Sequence, residues 1–259
     1  MKLPIMMYHE ITEDLSLSIK RGDMHSSYYV ALDAFKSHLQ LLAKLKFQTL
    51  TLDELPGPED DGSRIILSFD DGYIGNYLHA FPAIKSHEMT ATFFCAVSLI
   101  GKKNMMTWSQ LKEMMAEKMS IQSHGYSHRP LASLNRKEIY DELKRSKNEL
   151  ENRLGVKVPF LSLPHGSASK YVINAAKEIG YEKICTSSIG YNKGDEFCLR
   201  RILASSQFDL RKFEEIITGK TDFSLASFSK GVKQVIKNII GHKNYLGMYH
   251  FVNKLRNKI

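Results

Sequence analysis

The residues best suited to chemistry are the turn Asp70-Asp71-Gly72 and two histidines, His124 and His128, separated by three residues. One carboxylate and two imidazoles, with a position left open for water, make up a catalytic zinc site, whereas structural zinc is closed by four protein ligands. Asp71, His124 and His128 supply that set. A metal held there would acidify water to near neutrality and polarise a scissile carbonyl. Asp70 would then serve as the base, because a cation draws one of two neighbouring acids into coordination and leaves the other to titrate. Amide cleavage also needs an acid for the departing amine, and a histidine tuned near neutral pH suits that step; His9 is the candidate. Gly72 lets the backbone turn tightly beneath the acids. Singly, each feature has a plainer explanation as a solvated turn, a polar helix face or a hydrogen-bonded strand end. Their joint occurrence after successive strands gives the signal its specificity.

The elements that must position these groups alternate between strand-length apolar runs and helix-period segments, the pattern of a parallel α/β sheet or barrel. Leu3–Tyr8, Phe47–Thr51, Arg64–Phe69, Thr90–Val97, Met119–Ser123, Phe160–Leu163 and Lys183–Thr186 read as strands. Ala31–Leu45 places Phe35, Leu39, Leu42 and Leu45 on one helical face. A helical stretch runs on to about Ser86. Thr107 and Gln110 form a capping box for a helix through Glu117. Asn135–Leu154 is a helix stopped by Gly155, and Ser169–Ile179 is one stopped by Gly180. The alternation leaves sheet and barrel open, and the fold class expected is a distorted parallel (β/α) barrel of about seven strands. Residues 1–215 form the catalytic barrel, and residues 216–259 a basic helical C-terminal extension. In such barrels functional groups sit on loops at the C-terminal ends of strands, where His9, Asp70-Asp71, His124 with His128, and Pro164-His165-Gly166 all fall.

Three cysteines, Cys95, Cys185 and Cys198, lie far apart, which indicates neither a disulfide framework nor a thiolate zinc site. The apolar run at the N-terminus is broken by Pro4, His9 and Glu10 and does not read as a signal peptide, and no later stretch has the length of a membrane span. A cytoplasmic location is the expectation. The formal net charge is +8, and the stretch from Lys230 to Ile259 carries seven basic residues and no acid. There Val232, Val235, Ile236, Ile239 and Ile240 form an apolar stripe beside Lys233 and Lys237, which suits either a helix lying on an anionic membrane or one docked on the barrel. Nucleic-acid binding is not expected, because no reading motif accompanies the charge.

The residues also resemble a known family, the polysaccharide deacetylases of carbohydrate esterase family four. Ser68-Phe69-Asp70-Asp71-Gly72 is similar to its first motif, Ser123-His124-Gly125-Tyr126-Ser127-His128 to its second, and Leu163-Pro164-His165-Gly166 to its third. Ala91-Thr92-Phe93-Phe94 resembles the family's next core strand, and the similarity covers roughly residues 1–205. Met7-Tyr8-His9-Glu10-Ile11 resembles the permuted branch that includes poly-N-acetylglucosamine deacetylases. The resemblance implies that Asp70 is the base, that Asp71, His124 and His128 hold the metal, and that His9 is the acid. It further implies that the His165 backbone N–H helps hold the oxyanion, and Tyr73 and Arg201 are further candidates for substrate or oxyanion contact. The third motif usually begins with an arginine that orients the catalytic aspartate; Ser162 stands at that position here, and Arg200 or Arg201 is the candidate substitute.

The function expected is hydrolysis of an N-acetyl group from an amino sugar in a glycan or glycan precursor, releasing acetate, with zinc as the metal that suits the ligands and cobalt, nickel or iron as alternatives. A substrate inside the cell, such as a lipid-linked sugar, fits the expected location. Deformylase or amidase action on another small amide keeps the metal and changes the bond. A degenerate carbohydrate-binding protein is the reading that Ser162 would favour. Tyr126 is suited to stacking on a sugar, and Trp108 to burial between helix and barrel. Met6, Met7, Phe93 and Phe94 read as core, and His25 and His38 as surface.

Overall fold

In the sequence Arg64–Phe69 nearly every residue is apolar, and the strand formed there (β5) is buried from Ile65 to Phe69. That burial on both faces marks the centre of a parallel sheet. The computed structural model describes residues 2–16, 18, 25–55, 62–166, 168–205 and 208–223. The apolar stripe and basic residues expected between 230 and 259 lie outside the described residues. Met1–Gly219 forms one compact unit, and Lys220–Ile259 is assigned to a second.

The strands before β5 are β1 (Ile5–Tyr8), β2 (Glu10–Thr12), β3 (Tyr29–Ala31) and β4 (Gln48–Leu50). Those after it are β6 (Thr92–Cys95), β7 (Ser120–Ser123), β8 (Phe160–Ser162), β9 (Lys183–Cys185), β10 (Cys198–Leu199) and β11 (Ile202–Leu203). The main sheet runs β10-β9-β8-β7-β6-β5-β1-β11, with β4 also paired to β5, and every pairing is parallel. β2 and β3 form a separate parallel pair. All seven long segments expected as strands take that form. The sheet adds β10 and β11, which at two residues each are too short to show a period in sequence.

Six α-helices cover the sheet among the described residues: α1 (Leu32–Lys44), α2 (Phe81–Ser86), α3 (Trp108–Ala116), α4 (Arg136–Leu154), α5 (Lys170–Ile179) and α6 (Leu210–Ile217). Their ends follow local chemistry. Thr107 and Gln110 form the capping box of α3, and Asn135 with Glu138 forms another on α4. Gly155 and Gly180 end α4 and α5 in the left-handed conformation. A π-helical turn at Asn76–Ala80 precedes α2. No helix among the described residues is long and apolar enough to cross a membrane.

One buried cluster draws Ile5, Leu50, Ile66, Phe94, Phe160, Cys185 and Leu199 from seven different strands, so it fills the inside of a curled, distorted barrel. A second packs Ile139 and Leu143 of α4 and Val172 and Ala176 of α5 over Leu161 and Ile184. Behind the site runs an aromatic stack. Tyr8 lies on Phe69 at 5.1 Å and Phe69 on Phe93 at 4.7 Å, with Phe35 edge-on to Tyr8 at 5.2 Å. Each such pair stabilises by about 0.5–1.5 kcal/mol beyond its burial, and the stack pins the last residues of β1 and β5 immediately before His9 and Asp70. Met6, Met7, Phe93 and Phe94 are core as expected, and His25 is exposed.

His38 corrects the sequence reading: it is buried, not on the surface. α6 crosses its helix face and lays Phe213 flat on the imidazole at 4.0 Å, while Nδ1 shares a 3.1 Å hydrogen bond with the Tyr8 hydroxyl. Trp108 is half-buried, with the Arg153 guanidinium 4.8 Å above its ring.

Candidate active site

Four strand ends deliver the site. β5 leads into Asp70, whose N–H donates to the Tyr8 carbonyl at 3.0 Å, and the Gly72 N–H then donates back to the Asp70 carbonyl at 3.0 Å. This tight reversal puts Asp71 at φ 73° and Gly72 at φ 86°. A Cβ on Gly72 would stand a tight 3.2 Å from Cys95 Sγ and in strained left-handed backbone, so both space and conformation favour glycine. β7 leads into His124, whose N–H donates to the Cys95 carbonyl at 2.9 Å. β8 ends in Ser162, and β1 leads into His9.

Asp71, His124 and His128 converge. Asp71 Oδ1 lies 3.0 Å from His124 Nε2 and 2.9 Å from His128 Nε2. Ligands about 2.0–2.1 Å from one tetrahedral ion stand about 3.3 Å apart, so this spacing fits a shared divalent cation after a few tenths of an ångström of opening. His124 Nδ1–H donates to the Ser162 carbonyl at 2.9 Å, which turns Nε2 toward Asp71. Electrostatics point the same way. Burial pushes the Asp71 carboxyl up, but hydrogen bonds from His124 and His128 outweigh it and hold it well below the usual range. Burial lowers His128, yet Asp71 outweighs that and raises it. The pocket between them favours a positive charge. These three residues form the one cluster of this kind among the described residues.

Asp70 faces a different cation. Arg201 Nη1 donates to Asp70 Oδ1 at 2.6 Å and Nη2 to Oδ2 at 2.7 Å, a two-pronged fork. Nη2 also donates to Ser162 Oγ at 2.8 Å, and that hydroxyl donates to Asp70 Oδ2 at 3.2 Å. Burial pushes the Asp70 carboxyl up; Arg201, followed by His124 and His9, overrides it and holds it below its ordinary value. Of the two candidate arginines, Arg201 is the one brought to Asp70. Arg200 is exposed, its side chain lying over Gly190.

His9 stacks on Tyr28 with ring centroids 4.1 Å apart, and its Nδ1 is buried without a hydrogen-bond partner. Burial lowers His9 more than the nearby Asp71 and Asp70 raise it. His165 has a left-handed backbone, φ 58°, and its ring lies 5.1 Å from that of His128. Tyr73 is half-buried and its backbone pairs with Met105. Tyr126 is half-buried beneath the Arg145 guanidinium, 3.6 Å from its ring. Tyr28 was not legible in the sequence, since it comes from a short turn at 26–28 with no motif around it.

The comparisons with known proteins agree with this arrangement. The profile of the polysaccharide deacetylase family matches residues 57–184. YxkH of Bacillus subtilis, which bears a polysaccharide deacetylase name, is 30% identical over 211 residues, covering 79% of this chain and 72% of its own. The peptidoglycan-N-acetylmuramic acid deacetylase PdaA of Bacillus subtilis is 29% identical over 122 residues, 46% of this chain and 45% of that protein. In fold, the chain is similar to the Streptococcus pyogenes deacetylase PplD solved with acetate, with a TM-score of 0.76 and 24% identity over 84% of this chain and 98% of that one. It is likewise similar to IcaB from Ammonifex degensii, with a TM-score of 0.70 and 22% identity over 83% and 95%. With this fold, these motifs and a relative matched over most of both chains, the protein belongs to the polysaccharide deacetylase family.

Proposed function

We propose that this chain hydrolyses the N-acetyl group of an amino sugar in a glycan or glycan precursor, with a divalent metal held by Asp71, His124 and His128. The observation that supports this most directly is the split between two adjacent carboxylates, one facing two imidazoles and the other held in an arginine fork. When bound, the ion would polarise the acetyl carbonyl and acidify the attacking water; zinc suits the ligands best, and cobalt, nickel and iron are compatible.

The chain's own residues supply the proton movements. Asp70, kept ionised and oriented by Arg201, accepts a proton from water as its oxygen bonds to the carbonyl carbon. His9, in its protonated form, gives a proton to the sugar nitrogen as the carbon–nitrogen bond breaks, so that acetate and a free amine leave. Its unpartnered Nδ1 and the Tyr28 stack leave ring orientation to packing. The His165 backbone N–H is proposed to help hold the oxyanion, and Tyr73 to contact the substrate. Ser162 does not favour the degenerate binding reading, because Arg201 reaches Asp70 from a different loop and uses Ser162 Oγ as a further acceptor.

The test is acetate release across N-acetylated sugars, nucleotide sugars, lipid-linked sugars and polymers, with formate and ammonia measured in parallel. Asp70→Asn is expected to keep metal and lose turnover, and His124→Ala to lose both. Full turnover by Asp70→Asn would refute the mechanism.

A further inference from the structure

The loop from Gly125 to His128 carries one of the three metal-ligand candidates, yet it has no regular secondary structure of its own. His124 needs little from it, being held by β7 and by its bond to the Ser162 carbonyl. His128 lies four residues further on with a left-handed backbone, φ 60°, a conformation that costs free energy in a residue with a side chain. Something must hold it there.

One face of α4 does so. Glu142 accepts two hydrogen bonds from Ser127, at 2.9 Å from the backbone N–H and at 2.5 Å from the hydroxyl. Three residues along, the Arg145 guanidinium covers the Tyr126 ring at 3.6 Å. One residue further, Ser146 Oγ shares a 2.7 Å bond with Ser123 Oγ, which also accepts from the Gly125 N–H at 3.2 Å and from the Tyr181 hydroxyl at 3.0 Å. Positions 142, 145 and 146 share a helical face, so this row grips the loop residue by residue up to the one before His128.

We infer that Glu142 is a positioning residue of the metal centre, which by clasping Ser127 fixes where His128 delivers its imidazole. This rests on the proposed metal site. The carboxylate's two hydrogen bonds both come from Ser127, and its effect is to supply the loop order before an ion arrives. Interactions that orient metal ligands are typically worth 10–100-fold in metal affinity. A clasp that only stabilises the fold would lower the melting temperature and leave that affinity alone.

The measurement is Co2+ titration of metal-stripped protein, followed by its visible absorption, with circular dichroism to confirm folding. Glu142→Ala is expected to weaken Co2+ binding by roughly 10–100-fold. Glu142→Gln is expected to stay within about threefold of the parent, because its amide oxygen accepts from the Ser127 N–H and its amide NH2 donates to Oγ. Parental affinity in a folded Glu142→Ala protein overturns the inference, and so does an equal loss in both variants. If Glu142→Ala does not fold, Ser127→Ala decides: a loss of affinity supports the clasp and parental affinity overturns it. Failure of the parent itself to bind Co2+ would instead sink the metal reading.

Discussion

Replacing Arg201 tests the centre of the mechanism. The side chain is about 1% exposed and makes four hydrogen bonds, two to Asp70, one to Ser162 Oγ and one from Nε to the Thr186 carbonyl at 3.3 Å. Arg201→Ala leaves the Asp70 carboxylate buried without its ion-pair partner, a change that costs about 3–5 kcal/mol. For a unit of this size each kcal/mol is about 2–4 °C, so melting should fall by about 6–20 °C. Arg201→Lys is the sharper variant, because it keeps the charge and removes the fork. A lysine can satisfy one Asp70 oxygen, so at least one charge-assisted bond is lost, worth about 1.5–3 kcal/mol. If that bond holds Asp70 in the transition state, kcat should fall about 10- to 150-fold with KM little changed. The assay is steady-state acetate release alongside thermal unfolding at pH 7. The sign with pH is also fixed. Because the folded Asp70 pKa is depressed, its contribution is present above the usual carboxylate pKa and is lost as pH falls through the folded value. The melting difference between parent and Arg201→Ala should therefore shrink in acid. Parental kcat in Arg201→Lys would refute the positioning argument.

Other changes have defined outcomes. Burial lowers His38 to about 4, so the unfolded chain binds the extra proton first and stability is lost as pH falls from about 6.5 to 4, by about 3 kcal/mol in all. Melting against pH should be flatter over that window in His38→Gln, and an unchanged slope would exclude His38 as the cause. Gly166→Ala places a Cβ 2.3 Å from Ser187 Cβ at φ 68° and should lower melting measurably in differential scanning calorimetry; a parental melting temperature would show the loop to be pliable. Tyr28→Leu removes the ring stacked on His9 and should reduce kcat while leaving metal affinity intact, as read by acetate release and Co2+ titration.

How much of this was legible in the sequence depended on the range of the signal. The long strands, the capping box at Thr107 and Gln110, and the glycine stops at Gly155 and Gly180 are written within a few residues. Choosing between Arg200 and Arg201 was not, because side chains alternate along an extended backbone and the flanking strands, β10 and β11, are too short to set the parity. Only the fold shows that Arg201 faces inward, where its guanidinium is buried on Asp70. His38 sits at an ordinary helix position, and nothing local announces that Phe213 will lie on it from 175 residues away, as their numbers show. Glu142 is likewise one acid among many on a charged helix until α4 is laid along the loop at Ser127. Contacts of this kind are set by packing of whole elements, which short-range pattern does not encode.

The two aspartates show why the local backbone, more than the residue types, defines the chemistry. Two carboxylates sharing one environment do not both ionise easily, since each raises the other. Here the chain reverses at Asp71, with φ 73°, and the side chains go to separate partners. Asp70 receives a permanent cation in Arg201, whose charge does not titrate in any working range. Asp71 receives two imidazoles, whose nitrogens hold either protons or a metal ion. Proton and ion therefore compete for one place beside Asp71 while Asp70 stays ionised throughout. The expectation that follows is that acid weakens metal binding before it protonates the base. Metal release, followed with a chromogenic chelator, should precede any loss of the Asp70–Arg201 contribution to melting as pH is lowered. If both were lost together, the two carboxylates would be acting as one coupled pair and the division of roles argued from their geometry would be wrong.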